Sequence, residues 1–450
     1  MGMQDAKEDL TDDVGRERLK VGVGGIAAFW QRGHRHPARL ILRRHYGADQ
    51  LGQQCGSAVA QPRAEKVVEA VKGSRYACAM TTGSELEIFL ATPPGMEALL
   101  CDEAREKGFK DVLQAKGGVT VSGGWPEVWR ANLMIRGASR VVARVASFRA
   151  LHLAQLDKRA RRVAWGEVLR PDVPFRVEAT CKTSRIYHSG AAAQRIERAI
   201  NEELGAPVSP DAEICIRVRF EDDMCTIGVD TSGELLHKRG FKEAVNKAPM
   251  RETMASLFLR QCGYDGNEPV VDPMCGSGTF VIEAAEIAAG LNPGRSRHFA
   301  FEHLATFDEA AWQHLCGSGS RTTPAVRFYG SDRDAGAIAM SQANAARAGV
   351  TGITQFRQNS ISDLVTPEGP PGLVIVNPPY GTRIGDIKDV EPLYRALGQT
   401  LKTRFSGWRV GLITTEVTLA RATGLPFKPA GAPVPHGGLR VTLYSTGPLR

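Results

Sequence analysis

From Leu86 onward the spacing of apolar residues predicts three blocks of secondary structure. Leu86-Glu-Ile-Phe-Leu90 alternates in the manner of a half-buried strand. Residues 94–107 predict a helix, with Met96, Leu99, Leu100 and Ala104 on one face. Val112 and Val119-Thr-Val121 predict short strands around a Gly117-Gly118 turn. A helical stretch over 125–133 and a strand over 140–146 complete a βαββαβ-like order, expected of a ferredoxin-like unit at 84–150. In the second block, 151–240, strands are predicted at 175–180, 214–220 and 224–230. A helix over 190–204 carries Ala193, Ile196, Ala199 and Ile200 on one side. Residues 242–248 read as a linker.

The third block, 245–450, has a different pattern. Short continuous apolar strands at 269–272, 326–331, 353–357, 373–376 and 410–414 alternate with helices at 279–289, 335–348 and 391–403. Strands apolar on both sides belong to a mostly parallel sheet covered on both faces, an α/β Rossmann-like domain. Such sheets bind ligands at the carboxyl ends of their strands. About 40 residues from Gly290 to Val326, including His298, Trp312 and His314, form an insertion between the first two strands; both histidines are read as packing or surface residues.

Composition narrows the picture. The chain has 450 residues, 42% of them hydrophobic, enough for several domain cores. No apolar run is long enough to span a bilayer, and the start MGMQDAKEDLTDD does not have the form of a secretory leader. Nine cysteines stand singly without a CxxC pair, so a zinc knuckle and a disulfide framework are not expected. A cytoplasmic protein with no metal site and no membrane association is expected. Charge is unevenly spread. Between Arg140 and Ile200 there are 13 Lys and Arg against 5 Asp and Glu, leaving 44 basic and 44 acidic residues in the rest of the chain. This local excess has the form of a phosphate-binding footprint, with a solvated helix face as the plainer alternative. Residues 1–83 have weak periodicity and a His/Arg-rich patch. They are read as an extension that is disordered or not natively translated, with initiation at Met80, or else as a basic arm on RNA.

Two motifs carry chemistry. Asp272-Pro273-Met274-Cys275-Gly276-Ser277-Gly278-Thr279 lies at a strand-to-helix junction, where glycines allow a tight turn and close ligand approach. Val281 breaks the G-x-G-x-x-G dinucleotide fingerprint, and no Gly-Lys-Ser/Thr phosphate loop is present. An acidic residue before the turn repels pyrophosphate and suits a cation such as S-adenosylmethionine. At the end of the second strand, Asp332 is the candidate acceptor for ribose hydroxyls, while Asp334 can simply cap the next helix. Asn359 and Ser360 are candidates for the adenine, with Asp363 as an alternative.

The second motif, Asn377-Pro378-Pro379-Tyr380, follows the fourth strand. An exocyclic base amine is a poor nucleophile, because its lone pair is delocalised into the ring. The Asn377 side-chain oxygen and the Pro378 carbonyl can accept both amine hydrogens and turn the lone pair toward a sulfonium methyl. Pro378 and Pro379 fix the backbone, and Tyr380 can stack on the base. Arg383, just beyond, is either a phosphate contact or a surface charge.

These residues resemble the THUMP-domain RNA methyltransferases, most of all the bacterial 23S ribosomal RNA guanine-N2 methyltransferases. The likeness runs from about Leu86 to the C-terminus. It is carried by Gly233-Glu-Leu-Leu-His-Lys-Arg-Gly-Phe241, Lys247-Ala-Pro-Met-Arg-Glu-Thr253, the Asp272–Thr279 loop continuing to Ala285, Phe328-Tyr-Gly-Ser-Asp332 and Val376-Asn-Pro-Pro-Tyr-Gly-Thr-Arg383. The resemblance implies a Rossmann-like class I methyltransferase domain, preceded by a ferredoxin-like unit and a THUMP RNA-binding domain. It implies S-adenosylmethionine as cofactor and structured RNA as partner, either 23S RNA or the precursor of the large ribosomal subunit. It places Arg251 and Thr253 near the cofactor's methionine end. A member of the family has Asp where Ser360 stands, and some relatives carry a second methyltransferase domain where this chain stops at Arg450. Rival expectations are a transfer RNA guanine-N2 methyltransferase, a DNA adenine-N6 methyltransferase and a non-catalytic ribosome-assembly factor. Deleting about 86–235 is expected to abolish RNA binding and to leave cofactor binding intact.

Overall fold

A computed structural model describes residues 85–243, 250–319, 321–380 and 387–450. The expectations for 1–83, for Arg383, and for most of the 242–248 linker lie outside these residues.

The first half contains β1 (Leu86–Ala91), α1 (Glu97–Glu106), β2 (Lys110–Ala115), β3 (Gly118–Gly123), α2 (Trp125–Met134), β4 (Arg140–Arg149), α3 (Leu153–Ala160), β5 (Phe175–Lys182), α4 (Ser189–Leu204), β6 (Ile214–Glu221) and β7 (Met224–Asp230). The two predicted N-terminal blocks share one seven-stranded sheet, in the order β2-β3-β1-β4-β7-β6-β5. The join is β4, longer than its apolar pattern predicts. It pairs with β1 on one side and with β7 on the other, through a register shift between Arg144 and Ala146. Alternation decides which face the sheet buries: Ile214, Ile216, Val218 and Phe220 of β6 enter the core, while Arg217 and Arg219 face outward.

The second half contains α5 (Glu252–Gln261), β8 (Val270–Asp272), α6 (Thr279–Ala288), α7 (Glu309–Gly317), β9 (Phe328–Asp332), α8 (Ala335–Ala348), β10 (Thr354–Gln358), β11 (Leu373–Val376), α9 (Ile387–Arg404), β12 (Arg409–Thr414), α10 (Val417–Ala422), β13 (Val434–His436) and β14 (Leu439–Ser445). Its sheet runs β10-β9-β8-β11-β12-β14-β13, parallel through β12 and then antiparallel. Both faces are covered, as continuous apolar strands demand. Leu373 and Ile375 of β11 join the core under α5 and α6, and Val374 and Val376 join the one under α9 and α10. Strand order reverses between β8 and β11, which makes their carboxyl ends the expected ligand crevice. No helix among the described residues is long and apolar enough to cross a membrane.

The insertion is a structural bridge. Its Phe299, Phe301 and Trp312 are buried in the core of the first sheet. Phe299 stacks on Phe301 at 5.1 Å, and Phe307 packs edge-on against Trp129 of α2 at 5.9 Å. His298 and His314 are on the surface. A second bridge is electrostatic. Arg136, at the α2–β4 junction, is buried and donates to Glu283 of α6 at 2.8 Å. Arg239 and Arg295 close on Glu283 and Glu286 from other directions, while Glu103 accepts the Arg136 backbone N–H at 2.6 Å. Burial works against the charge of Arg136, but Glu283 and Glu286 outweigh it and hold the guanidinium pKa above its ordinary value.

Pairing also reshapes the basic stretch. Arg140, Arg144, Arg161, Arg170, Arg176, Arg185 and Arg198 all form ion pairs, several with carboxylates beyond it, such as Glu87, Glu202 and Asp230. Arg149, Lys158, Arg162 and Lys182 are exposed. The predicted footprint is therefore smaller than the residue count implied, because its excess is partly neutralised from neighbouring strands and helices.

Candidate active site

The Gly loop leaves β8 and enters α6 through two left-handed residues, Gly276 at φ +53° and Gly278 at φ +83°. A side chain at Gly278 would be strained in that conformation and would also meet the Ser341 hydroxyl at 3.0 Å. Neighbouring elements hold the loop backbone. Gly276 N–H donates to Asp332 at 3.0 Å, and Cys275 N–H to the Ser331 carbonyl at 2.9 Å, both at the end of β9. From α8, Ser341 donates to Gly276 O at 2.8 Å and Asn344 to Ser277 O at 3.0 Å. Lys242 reaches the Thr279 hydroxyl at 2.9 Å, so this residue anchors the loop; its place in the predicted linker had suggested no such role.

A cavity of about 860 Å³ opens at the carboxyl ends of β8, β9 and β11. Of the residues singled out in the sequence, Asp272, Pro273, Cys275, Gly276, Thr279, Asp332, Asn359, Ser360, Asn377, Pro378, Pro379 and Tyr380 line it. Gly278 does not; it supplies the turn. Arg251 and Thr253 are also absent from its wall, and Met250 beside them is present. Asp334 caps α8 by accepting the Gly336 N–H at 2.9 Å, the plainer of its two readings. Ser360 donates to Asp363 at 2.7 Å, so a carboxylate does stand beside the adenine candidate. Arg333, Ile361, Leu393, His436 and Leu439 line the cavity without having been foreseen. Arg333 and Ile361 adjoin the predicted residues Asp332 and Ser360. The other three arrive from α9 and the β13–β14 hairpin, which no local signal connects to the site.

Asp272 and Asn377 are electrostatically unusual. Burial pushes the Asp272 carboxyl up to about 8; the Met274 N–H that it accepts at 3.1 Å opposes this, and Asp332 adds to it. Among the described residues, the Asn377 side-chain oxygen is buried without a hydrogen-bond partner. A buried acceptor left unpaired costs about 1–3 kcal/mol. Such a cost, in a cavity wall, is a mark of a site built for a ligand's donor.

The fit to a nucleoside sulfonium is direct. The volume suits a ligand of that size. A Cβ at Gly276 would project into open space, so the backbone leaves room for close approach. Two carboxylates, Asp272 and Asp332, face the cavity where a cation and a ribose can be held. Fold and cavity together define a class I methyltransferase that uses S-adenosylmethionine. The chain belongs to the RMKL-like methyltransferase family: residues 239–428 match the model described as the RMKL-like methyltransferase domain, and residues 87–142 match the RlmL ferredoxin-like domain. It is 34% identical over 364 residues to the ribosomal RNA large subunit methyltransferase K/L of Chromohalobacter salexigens, covering 76% of this chain and 49% of that protein. The chain thus spans about half the length of the K/L relatives it matches. It is 31% identical to slr0064 of Synechocystis sp., provisionally named an RNA methyltransferase, covering 79% of this chain and 95% of that protein. Among solved structures, a possible methylase from Clostridium difficile 630 superposes with a TM-score of 0.74 at 28% identity, covering 82% of this chain and 99% of that one. SMU.472, solved with S-adenosylhomocysteine, gives 0.74 at 26%, covering 82% and 100%.

Proposed function

We propose that this protein methylates an exocyclic amino nitrogen of a ribosomal RNA base, and that the atom is N2 of a guanine in 23S RNA. The observation that carries the reading is the orphaned Asn377 oxygen, on a proline-stiffened loop at the end of β11, the strand paired with β8 and its Gly loop. In this reading Asn377 Oδ1 and the Pro378 carbonyl each accept one amine hydrogen, and Tyr380 stacks on the base. The amine nitrogen then presents its lone pair to the methyl carbon. S-adenosylmethionine supplies an electrophilic methyl on a sulfonium. As the new N–C bond forms, the S–C bond breaks, and the ammonium proton becomes acidic enough to leave without a strong base. A base in a helix must first be extruded to reach such a cavity. Asp272, Pro273, Cys275, Gly276 and Thr279 hold the methionine portion, with Gly278 shaping the turn. Asp332 holds the ribose, and Asn359 and Ser360 the adenine.

The names of the K/L relatives and the exposed Arg149, Lys158, Arg162 and Lys182 support RNA as the partner, with 151–240 as a THUMP-type RNA-binding domain. The test is nucleoside mass spectrometry on 23S RNA and transfer RNA from a strain lacking the gene. Loss of N2-methylguanine from 23S RNA is expected. Its loss from transfer RNA alone would move the substrate, and loss of N6-methyladenine would move the base.

The raised Asp272 carboxyl gives a second check. An unfolded Asp titrates near about 4, and the folded one near 8. Between these values the folded protein binds the extra proton. This group's contribution to stability is therefore full below about pH 4 and falls as pH rises toward 8. A cation seated beside Asp272 favours the carboxylate and expels that proton. Affinity for S-adenosylmethionine should rise from pH 6 to 8, with a calorimetric heat that changes with the ionisation enthalpy of the buffer. A heat that is the same in every buffer would remove Asp272 from the binding role.

A further inference from the structure

We infer that Tyr394 and Thr414 form a positioning relay that sets the Asn377–Tyr380 loop for methyl transfer; this rests on the amino-methylation reading above. Consecutive prolines leave the loop without N–H groups at Pro378 and Pro379, so its carbonyls need donors from elsewhere. One comes from α9. The Tyr394 hydroxyl lies 3.2 Å from the Pro379 carbonyl and 3.3 Å from Thr414 Oγ1. Thr414 Oγ1 in turn accepts the Glu416 N–H at 3.2 Å.

Chemistry orders this chain. A carbonyl can only accept, so the Tyr394 proton goes to Pro379. The Thr414 hydroxyl then donates to Tyr394 while accepting from Glu416. The relay therefore runs one way, from the start of α10 through the end of β12 and α9 to the proline loop, and such chains reinforce each of their bonds. Tyr394 is fully buried, and burial raises its hydroxyl pKa, with Thr414 opposing, so it stays a donor. The consequence is selective. With the Pro379 carbonyl engaged by Tyr394, the amine is left to the Asn377 oxygen and the Pro378 carbonyl in the proposed reading. Neither Tyr394 nor Thr414 lines the cavity, so their effect on the reaction passes through the loop.

The test uses the full chain, tritiated S-adenosylmethionine and 23S RNA from the deletion strain. Tyr394→Phe removes one oxygen and keeps the ring. We expect kcat to fall roughly 5- to 50-fold, as loss of one or two such bonds would give. The calorimetric Kd for S-adenosylmethionine should stay within about twofold. Thr414→Val should show a smaller fall, and the double variant should be no slower than Tyr394→Phe, because Thr414 acts only through Tyr394. Unchanged kcat in Tyr394→Phe, a parallel loss of cofactor affinity, or additive effects of the two substitutions would each overturn the relay. Wild-type protein that fails to methylate this RNA would instead overturn the functional reading.

Discussion

Replacing Asn377 with alanine is expected to lower methyl transfer by roughly two to three orders of magnitude while leaving S-adenosylmethionine affinity within a few fold. The size follows from what the side chain does. Its oxygen is a pre-placed, buried acceptor with no partner among the described residues, so in the proposed reading its interaction energy is held for the ligand. Removing one such fixed polar group aimed at a developing charge costs enzymes about 100- to 1,000-fold. The amine nitrogen gains positive charge as the methyl arrives, so the acceptor is worth more in the transition state than in the bound ground state, and kcat falls rather than KM rising. Tritium incorporation and calorimetry separate the two. Full activity in Asn377→Ala would end the proposed mechanism. Lost cofactor binding would show that Asn377 shapes the cavity. Asn377→Asp tests the same point from another side: the carboxylate accepts as well, but adds a negative charge to the cavity that Asp272 and Asp332 also line, so weak residual transfer is expected.

The second large effect concerns stability and lies far from the chemistry. Arg136→Met should destabilise the protein by about 3–5 kcal/mol, the usual cost of leaving a buried charge without its partner. Arg136, Arg239 and Arg295 face Glu103, Glu283 and Glu286, so the cluster is balanced. Methionine keeps most of the volume and leaves one carboxylate in excess. Urea unfolding should show the loss, and Arg136→Met/Glu286→Gln, neutral again, should recover part of it. Equal stability of the single variant and the wild type would mean that water reaches the cluster. The same contact revises an expectation drawn from the domain pattern. Deleting about 86–235 was expected to spare cofactor binding. The deletion would strip Arg136 from α6, the helix that the Gly loop enters, and would bare Phe299, Phe301 and Trp312. Loss of folding is now the expected result, and loss of cofactor binding in that fragment would carry no information about RNA.

Much of the catalytic half was legible along the chain, because its strands are buried on both faces and read as apolar runs that few other structures produce. Each of the two motifs follows one of these runs directly, and the pairing of β8 with β11 sets them side by side. The helices α3, α5, α7 and α10 and the strands β13 and β14 are not among the elements that the apolar pattern predicts. Residues 252–259 of α5 are buried all round, so its pattern has no polar face to reveal a period. The hairpin's two short strands are separated by only Gly437 and Gly438, and it gains its stability from Val434 and Val441 in a distant core.

By itself, then, the sequence determined the reaction class. A glycine turn after an acidic strand end, together with an asparagine before paired prolines, is local chemistry, and local chemistry survives in linear order. Only the tertiary structure decided how the site is completed and supported. Leu393, His436 and Leu439 reach the cavity, Tyr394 and Thr414 hold the proline loop, and Arg136 ties the first sheet to α6. Each of these joins residues from separate elements, and the Arg136–Glu283 contact spans 147 positions. Their meaning is a matter of direction and burial, which residue order does not encode.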